Sequence, residues 1–505
     1  MKVSNIKWGL MLSYAAMITN ALIHIVYTPI MLRLLGTNEY GLYSLTSSVT
    51  AYLGVLNFGF VNAYLRFYTM YKTENNEERI AELNGMYLFV FTAIGLISFS
   101  IGVIIAYNVG TIFGDGLTPD ELAKAKILVL IFVANVSITF PLDIFTYFLT
   151  ANEKFIFTRG LHLIEIIITP CFLLLVLVLG FKSIGMAVIV LSLIVLKHII
   201  KVYYSFAYCG YKISFNIKSL SMFKEIFVFS SFIFLNILAS QMNNSVDKLL
   251  IGRYRGTADV AVFGIATQIY TLYHSIASTI ASVVKPRVNQ LVFSGNNKGL
   301  GSLLLQVGRL QFIVLSVILI GFIIFGRQFI LLWAGPDFSE SYVIALLLMA
   351  PLLLSEIQLL SGEVQRAKNL HVFRSIVFFV IALVNLLISI PLCIRYGAIG
   401  CVIGTAFSVI AGHVIAMSIY NQRVIGLDII NLYKTMLKFF PALVLPVATG
   451  LLLNRFMDIK SFGELVIAGV VFVSVFFGSM WVLGFDAYEK GLITRAVKRL
   501  FKRFS

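Results

Sequence analysis

Charge is what this sequence has least of. Asp, Glu, Lys and Arg make up 12% of the 505 residues, about half the share of an ordinary soluble domain. Hydrophobic residues make up 59%, against about 45–50% in soluble proteins. Both a water-soluble core and a disordered chain are excluded. Cysteine is scarce as well: Cys171, Cys209, Cys393 and Cys401 form no CxxC or metal pattern. Cys393 and Cys401 face each other across one short turn, where a disulfide is one option, but single thiols in apolar helices are the expected state. The chain has no GxxxxGK[ST] loop, no DxD pair and no HExxH. These absences argue against P-loop ATP hydrolysis, a metal-dependent sugar-nucleotide transferase and a zinc protease. No cofactor is implied. No gap between apolar runs exceeds about twenty residues, too short for a soluble domain of even about 50 residues.

What is present is a series of long apolar runs, at about 9–33, 41–68, 85–107, 127–150, 161–181, 184–207, 226–251, 261–284, 303–325, 341–362, 374–394, 397–419, 436–454 and 463–484. Each is near the roughly 20 residues that cross a bilayer. The expected fold is an all-α integral membrane protein of about fourteen transmembrane helices. The first run ends in Arg33 without a small-residue cleavage site and reads as a retained helix.

The 39 basic residues outnumber the 23 acidic ones. In a soluble protein that balance would suggest nucleic acid; here the basic residues flank apolar runs and report topology. Twenty-five lie on the side of the two termini and eleven on the other, so both termini are expected in the cytoplasm. The basic tail, 485–505, is expected to lie on anionic headgroups.

Two short motifs recur six spans apart. Gly36-Thr37-Asn38-Glu39 pairs with Gly256-Thr257-Ala258-Asp259 at an offset of 220, and Lys182-Ser183-Ile184-Gly185 pairs with Gly397-Ala398-Ile399-Gly400 at 215. The chain therefore reads as a six-helix lobe (1–207), a cytoplasmic linker (208–225), a second six-helix lobe (226–419) and two further helices (420–484). An even-numbered repeat keeps its orientation in both copies, as in transporters whose two lobes rock around a central site.

Polar residues inside spans are costly and face a cavity or another helix. Span seven carries Asn236, Ser240, Asn243, Asn244 and Asp247 at helical spacing. Span eight carries Gln268, Thr271, Ser275, Ser278, Ser282 and Lys285 on one face. Span one offers Asn20, His24 and Tyr27, and span two Asn62 and Arg66. A cavity between spans one, two, seven and eight accounts for these stripes, and Ser/Thr/Asn packing between helices is the alternative. Asp143, Glu165, Asp247 and Glu356 are candidate proton or cation sites. Arg66 has Lys285 and Arg287 as repeat counterparts. Such groups at a cavity mouth suit a phosphate or diphosphate; topology marking, or pairing of Arg66 with Asp143, are the competing readings.

The stretch Leu34-Leu35-Gly36-Thr37-Asn38-Glu39-Tyr40-Gly41-Leu42-Tyr43-Ser44, then Leu56-Asn57-Phe58-Gly59, resembles the opening of bacterial polysaccharide flippases. Asp247-Lys248-Leu249-Leu250-Ile251-Gly252 resembles the matching point of their second lobe, and the Gly397–Gly400 turn is similar too. These belong to the polysaccharide transporter branch of the multidrug/oligosaccharidyl-lipid/polysaccharide exporter superfamily, and the resemblance covers essentially the whole chain. It implies two six-helix bundles around a central cavity in the cytoplasmic membrane of a bacterium. It also implies translocation of an undecaprenyl-diphosphate-linked oligosaccharide by alternating access. The implied partners are a lipid-linked glycan, membrane lipids, H+ or Na+ as coupling ion, and functional links to glycosyltransferases and a polymerase. One departure is that the deep charges here are mixed or acidic, whereas relatives moving diphosphate headgroups often carry several basic residues. Rival readings are an ion-coupled multidrug antiporter on the same scaffold and a membrane-embedded polysaccharide polymerase or ligase. The long hydrophilic stripes disfavour the first and the short outer loops the second.

Overall fold

The computed structural model describes residues 3–57, 59–114, 116–215, 234, 237–238, 241–242, 245–370, 372–491 and 494. Among them, every regular element is helical. The first half comprises α1 (Val3–Leu35), α2 (Thr37–Ala51), α3 (Phe60–Thr73), α4 (Glu77–Tyr107), the short α5 (Val109–Phe113), α6 (Pro119–Ala151), α7 (Phe155–Val178), α8 (Lys182–Cys209) and α9 (245–254). It continues with α10 (Thr257–Phe293), α11 (Asn297–Trp333), α12 (Ser341–Glu356), α13 (Leu359–Ala367) and α14 (Val372–Ser408). After α14, π-helical turns flank α15 (Met417–Tyr420), and α16 (Ile429–Leu437), α17 (Phe440–Phe456) and α18 (Phe462–Ser479) complete the order.

Ten of these stretches are long and apolar enough to cross a membrane, or eleven if the bent α16–α17 pair is one span. Fourteen spans remain compatible with this number for three local reasons. Span two is broken: α2 ends at Ala51, a 3-10 turn covers Leu53–Asn57, and Gly59 at φ 69° precedes α3. Val372–Ile425 holds the eleventh and twelfth spans in one 54-residue stretch, bent where Gly397 takes φ 63°, ψ −141°. Most of span seven lies outside the described residues.

Helix starts follow their capping residues. Thr118 and Glu121 form a reciprocal capping box ahead of α6, and Ser461 and Glu464 do the same ahead of α18. Each satisfies two of the N–H groups that a helix leaves open at its start. Asn76 and Asn296 cap α4 and α11 through the N–H groups of Arg79 (3.0 Å) and Gly299 (2.8 Å).

The chain forms two compact units, Met1–Gly264 with Cys393–Cys401, and Ile265–Leu392 with Val402–Ser505. In the first, α6 packs against α4 and α8, and α1 runs along α7. Its core is aromatic: Phe60, Tyr64, Tyr68, Tyr87, Phe91, Tyr147, Phe148 and Tyr211 are buried together. Four of the buried phenols find partners: Tyr64 donates to Asn84 Oδ1 (2.7 Å) and Tyr87 to the Phe60 carbonyl (3.1 Å), and Tyr68 and Tyr147 accept from Asn152 and Asn57, whereas the Tyr211 hydroxyl has none. The two cysteines at the turn, Cys393 and Cys401, are buried and are not joined in a disulfide.

The second unit packs α11 against α12 and α16–α18 around Phe312, Phe325, Phe439, Phe472 and Phe476. Arg309 is set into its edge. Its guanidinium grips the Glu489 carboxylate in a fork, Nε to Oε1 at 2.5 Å and an NH2 group to Oε2 at 2.7 Å. It also lies 4.6 Å from the Phe439 ring centre. Glu489, beyond α18, is thereby anchored to the bundle.

Candidate functional site

In the first unit, Asn20 is exposed on α1 and His24 is partly exposed one turn later. Arg66 is exposed on α3, its guanidinium 5.8 Å from the Phe67 ring centre. Asn57, in the turn before α3, donates to the Tyr147 hydroxyl at 3.2 Å. Asp247 is buried on α9. Asn236, Asn243 and the side chain of Asn62 lie outside the described residues.

A denser polar cluster stands where α6, α7 and α8 meet. Glu165 accepts from Lys197 Nζ at 2.7 Å and lies 3.3 Å from His162 Nδ1. His198 Nε2 is 3.3 Å from Asp143 Oδ1, so the carboxylate considered as a partner for Arg66 has an imidazole beside it. Lys201, buried to 8% exposure, donates to Thr146 Oγ1 at 2.9 Å. A cavity of about 290 Å³ opens among Thr146, Thr150, Thr158, Arg159, His162, Glu165, Lys197 and Lys201, with Phe155 at its edge. Two of the four carboxylates expected to handle ions therefore sit here.

A second group of charges ties the starts of several helices together within the same unit. Glu39 accepts from Lys124 Nζ at 2.6 Å and from the Ser183 hydroxyl. Burial raises the Glu39 pKa, but these hydrogen bonds and the Lys124 charge outweigh it and hold the carboxyl below its usual value. Glu121 accepts from Thr257 Oγ1 at 2.6 Å. Arg253 donates to the carbonyl oxygen of Ile112 (2.8 Å), and Arg255 to that of Ile394 (3.1 Å). Gly41 comes so close to the first residue of α10 that a Cβ there would stand 1.8 Å from the Thr257 carbonyl oxygen. The second Gly-Thr motif thus packs against α2, two residues beyond the first.

In the second unit, α10 turns one side inward, with Tyr273, Ala277, Ala281 and Val288 buried. Thr271, Ser282 and Lys285 on the polar stripe stay exposed, and Gln268, Ser275 and Ser278 half-exposed. The hydroxyls of Thr271, Ser275, Ser278 and Ser282 each donate to a carbonyl one turn back on the same helix. Lys285 pairs with Glu363 at 3.2 Å, and Arg287 donates to Gln290 Oε1 at 3.2 Å. Glu363, which position alone makes a solvated helix-end carboxylate, is also held by Arg366. Glu356 is 3% exposed; Oε1 meets His274 Nδ1 at 2.9 Å, and Oε2 has no hydrogen-bond partner. A small recess of about 40 Å³ beside it is lined by Ser361, Gln365, Arg374, Phe378 and His413.

Both units thus place a carboxylate against an imidazole, Asp143 with His198 and Glu356 with His274. Among the described residues, no group of three His, Cys, Asp or Glu side chains is placed to hold a metal ion. The sequence reading concentrated on spans one, two, seven and eight and missed the weight of α6–α8. The signal was present: Arg159, His162 and Glu165 recur every three residues and Lys197 and Lys201 every four, so each set shares a helix face.

Comparison with solved structures places the fold. A structure titled lipid II flippase MurJ, inward closed conformation, superposes with a TM-score of 0.71 over 96% of this chain and 99% of its own, at 16% identity. An inward-facing multidrug resistance MATE family transporter of the MOP superfamily gives 0.64 over 81% and 99%, at 14% identity. An outward-facing one gives 0.55 over 82% and 97%, at 13%. At these identities the likeness concerns the fold. No curated protein sequence matches the chain. Residues 7–292, more than half of it, match the family model described as polysaccharide biosynthesis protein. The chain is therefore a multi-pass membrane protein with a transporter fold, and it belongs to the polysaccharide biosynthesis protein family.

Proposed function

We propose that this protein moves an undecaprenyl-diphosphate-linked oligosaccharide from the cytoplasmic to the outer leaflet of a bacterial cytoplasmic membrane by alternating access. The observation that carries the reading is the polar stripe of α10, left unburied from Gln268 to Lys285 while the opposite side of the helix is packed. A polar path on an apolar scaffold suits a hydrophilic glycan head whose lipid tail stays in the bilayer. The family's link to polysaccharide biosynthesis and the flippase title of one structural neighbour support it.

The path is assigned to the polar faces of spans one, two, seven and eight: Asn20, His24, Asn62, Arg66, Asn236, Asn243, Asp247, Gln268, Lys285 and Arg287. The six-helix lobes 1–207 and 226–419, the linker 208–225, the pair 420–484 and the tail 485–505 are its working parts, and both termini are cytoplasmic. H+ or Na+ coupling falls to Asp143, Glu165, Asp247 and Glu356. Glycosyltransferases supply the substrate and a polymerase consumes the product. A dianionic head leaving a negative interior gains about 4.6 kcal/mol per 100 mV from the field.

The test is translocation of a labelled undecaprenyl-diphosphate oligosaccharide in proteoliposomes, read by access of an impermeant glycosidase to the opposite leaflet. Asp247→Asn lowers the rate without loss of folded protein. Arg66→Lys is impaired and Arg66→Ala more so, because the planar guanidinium fork is lost. Full activity in Arg66→Lys removes the bidentate phosphate role. Cation efflux without glycan movement overturns the reading in favour of the multidrug antiporter.

A further inference from the structure

The repeat that pairs Lys182 with Gly397 also runs through the α6–α8 cavity. At the same offset of 215, Thr146, Thr150, Arg159 and His198 correspond to Ser361, Gln365, Arg374 and His413. The first three of each set line the cavity of their own unit. Each unit therefore carries a polar recess at corresponding positions. The two differ in the rest of their lining. His162, Glu165, Lys197 and Lys201 correspond to Val377, Val380, Gly412 and Ala416. The recess of the second unit holds about 40 Å³, and that of the first holds about 290 Å³ and carries two lysines.

The walls of the larger cavity are rich in donors and short of acceptors. Among the described residues, Arg159, Lys197 and Lys201 bring three basic groups against one lining carboxylate, Glu165. Glu165 is already engaged by Lys197 and His162. Lys201 is nine-tenths buried, and the one hydrogen bond its ammonium makes is to a neutral threonine hydroxyl. An ammonium has three donors; the Asp143 and Glu165 carboxylates act on it through space, but neither takes a hydrogen bond from it. The cavity lies at the end of α6 and the start of α7. Arg159 is about 6 Å along α7 and Lys201 about 12 Å short of the end of α8, at 1.5 Å per residue. That is the depth of lipid headgroups and just beneath, where basic pockets between membrane helices hold anionic heads.

We propose that this cavity binds the phosphate group of an anionic phospholipid, held by Arg159 at the rim and Lys201 at the base, with the hydroxyl of Thr146 as a further donor. The site shares Glu165 with the proposed coupling residues and none with the transport path, and lipid binding is read without transport, so its failure is distinguishable from failure of the flippase reading.

The experiment uses the full chain in a neutral detergent, with thermal unfolding followed against ligand concentration. The probes are dioctanoyl phosphatidylglycerol, dioctanoyl phosphatidylcholine and inorganic phosphate. Phosphatidylglycerol raises the unfolding midpoint saturably and phosphatidylcholine does not. Lys201→Met and Arg159→Gln each weaken binding by about tenfold, the loss expected for one charge-assisted hydrogen bond. Lys201→Arg retains binding, and Arg374→Gln, the repeat counterpart, leaves it unchanged. If inorganic phosphate gives the same saturable shift, lost in the same variants, the phosphate site stands and its source is the aqueous pool. A shift shared by phosphatidylcholine, no saturable shift with either anion, or a shift that survives the Lys201→Met/Arg159→Gln double substitution overturns the proposal. Should Lys201→Met fail to fold, exposed Arg159 reads the site alone.

Discussion

Gly41 is the position where adding one carbon has the most calculable effect. A Cβ there would lie 1.8 Å from the Thr257 carbonyl oxygen and 2.6 Å from its carbonyl carbon. An ordinary contact between carbon and carbonyl oxygen is about 3.3 Å or more, so α2 and the start of α10 must part by about 1.5 Å. The obstacle is backbone, which cannot swing aside like a long side chain. Thr257 is further held by its hydroxyl bond to Glu121, and Gly264, two turns on, sits against Tyr40. Overpacking of this kind costs about 1–3 kcal/mol. Gly41→Ala should therefore lower the thermal unfolding midpoint of the purified protein, and Gly41→Val should lower it further. A cysteine at Thr257, shielded in the parent (4% exposed), should gain reactivity towards a thiol reagent in the Gly41→Ala background. An unchanged midpoint together with unchanged labelling would refute the close approach of Gly41 to Thr257.

Arg309→Met strands the buried Glu489 carboxylate and should cost about 3–5 kcal/mol; unfolding of the double variant Arg309→Met/Glu489→Leu should recover much of that loss. Glu39, outside the apolar spans, has its folded-state pKa lowered. Its contribution is present above the unfolded value of about 4.3 and is lost as pH falls through the lower folded value. Wild type should then lose its margin over Glu39→Gln on acidification, and equal pH profiles would remove the role of the Lys124 contact. For topology, cysteine in place of Asp115 should react with an impermeant reagent in whole cells and cysteine in place of Asn75 should not; the reverse pattern inverts the assigned orientation.

The sequence by itself determined the class. Apolar runs of bilayer length leave the backbone no choice but helix, because no water is available to satisfy its N–H and C=O groups. The family was legible from the Gly36–Ser44 and Asp247–Gly252 motifs for a related reason: a tight turn and a close backbone approach admit few residue types, as Gly36 at φ 83° and Gly41 against Thr257 illustrate. The polar stripe of α10 was legible from its spacing alone, since residues three and four apart share a face.

Partnership between helices was not legible. Lys201 reads as one more basic residue at the cytoplasmic end of a span, and only packing of α6 against α8 buries it beside Thr146. Glu165 and Glu356 stand out equally in the sequence, yet tertiary structure gives the first a lysine and a histidine and the second a histidine on one oxygen alone. Periodicity along one helix says which residues share a face. Which face of another helix it meets depends on close packing of side chains far apart in the chain, and that was decided only when the bundles formed.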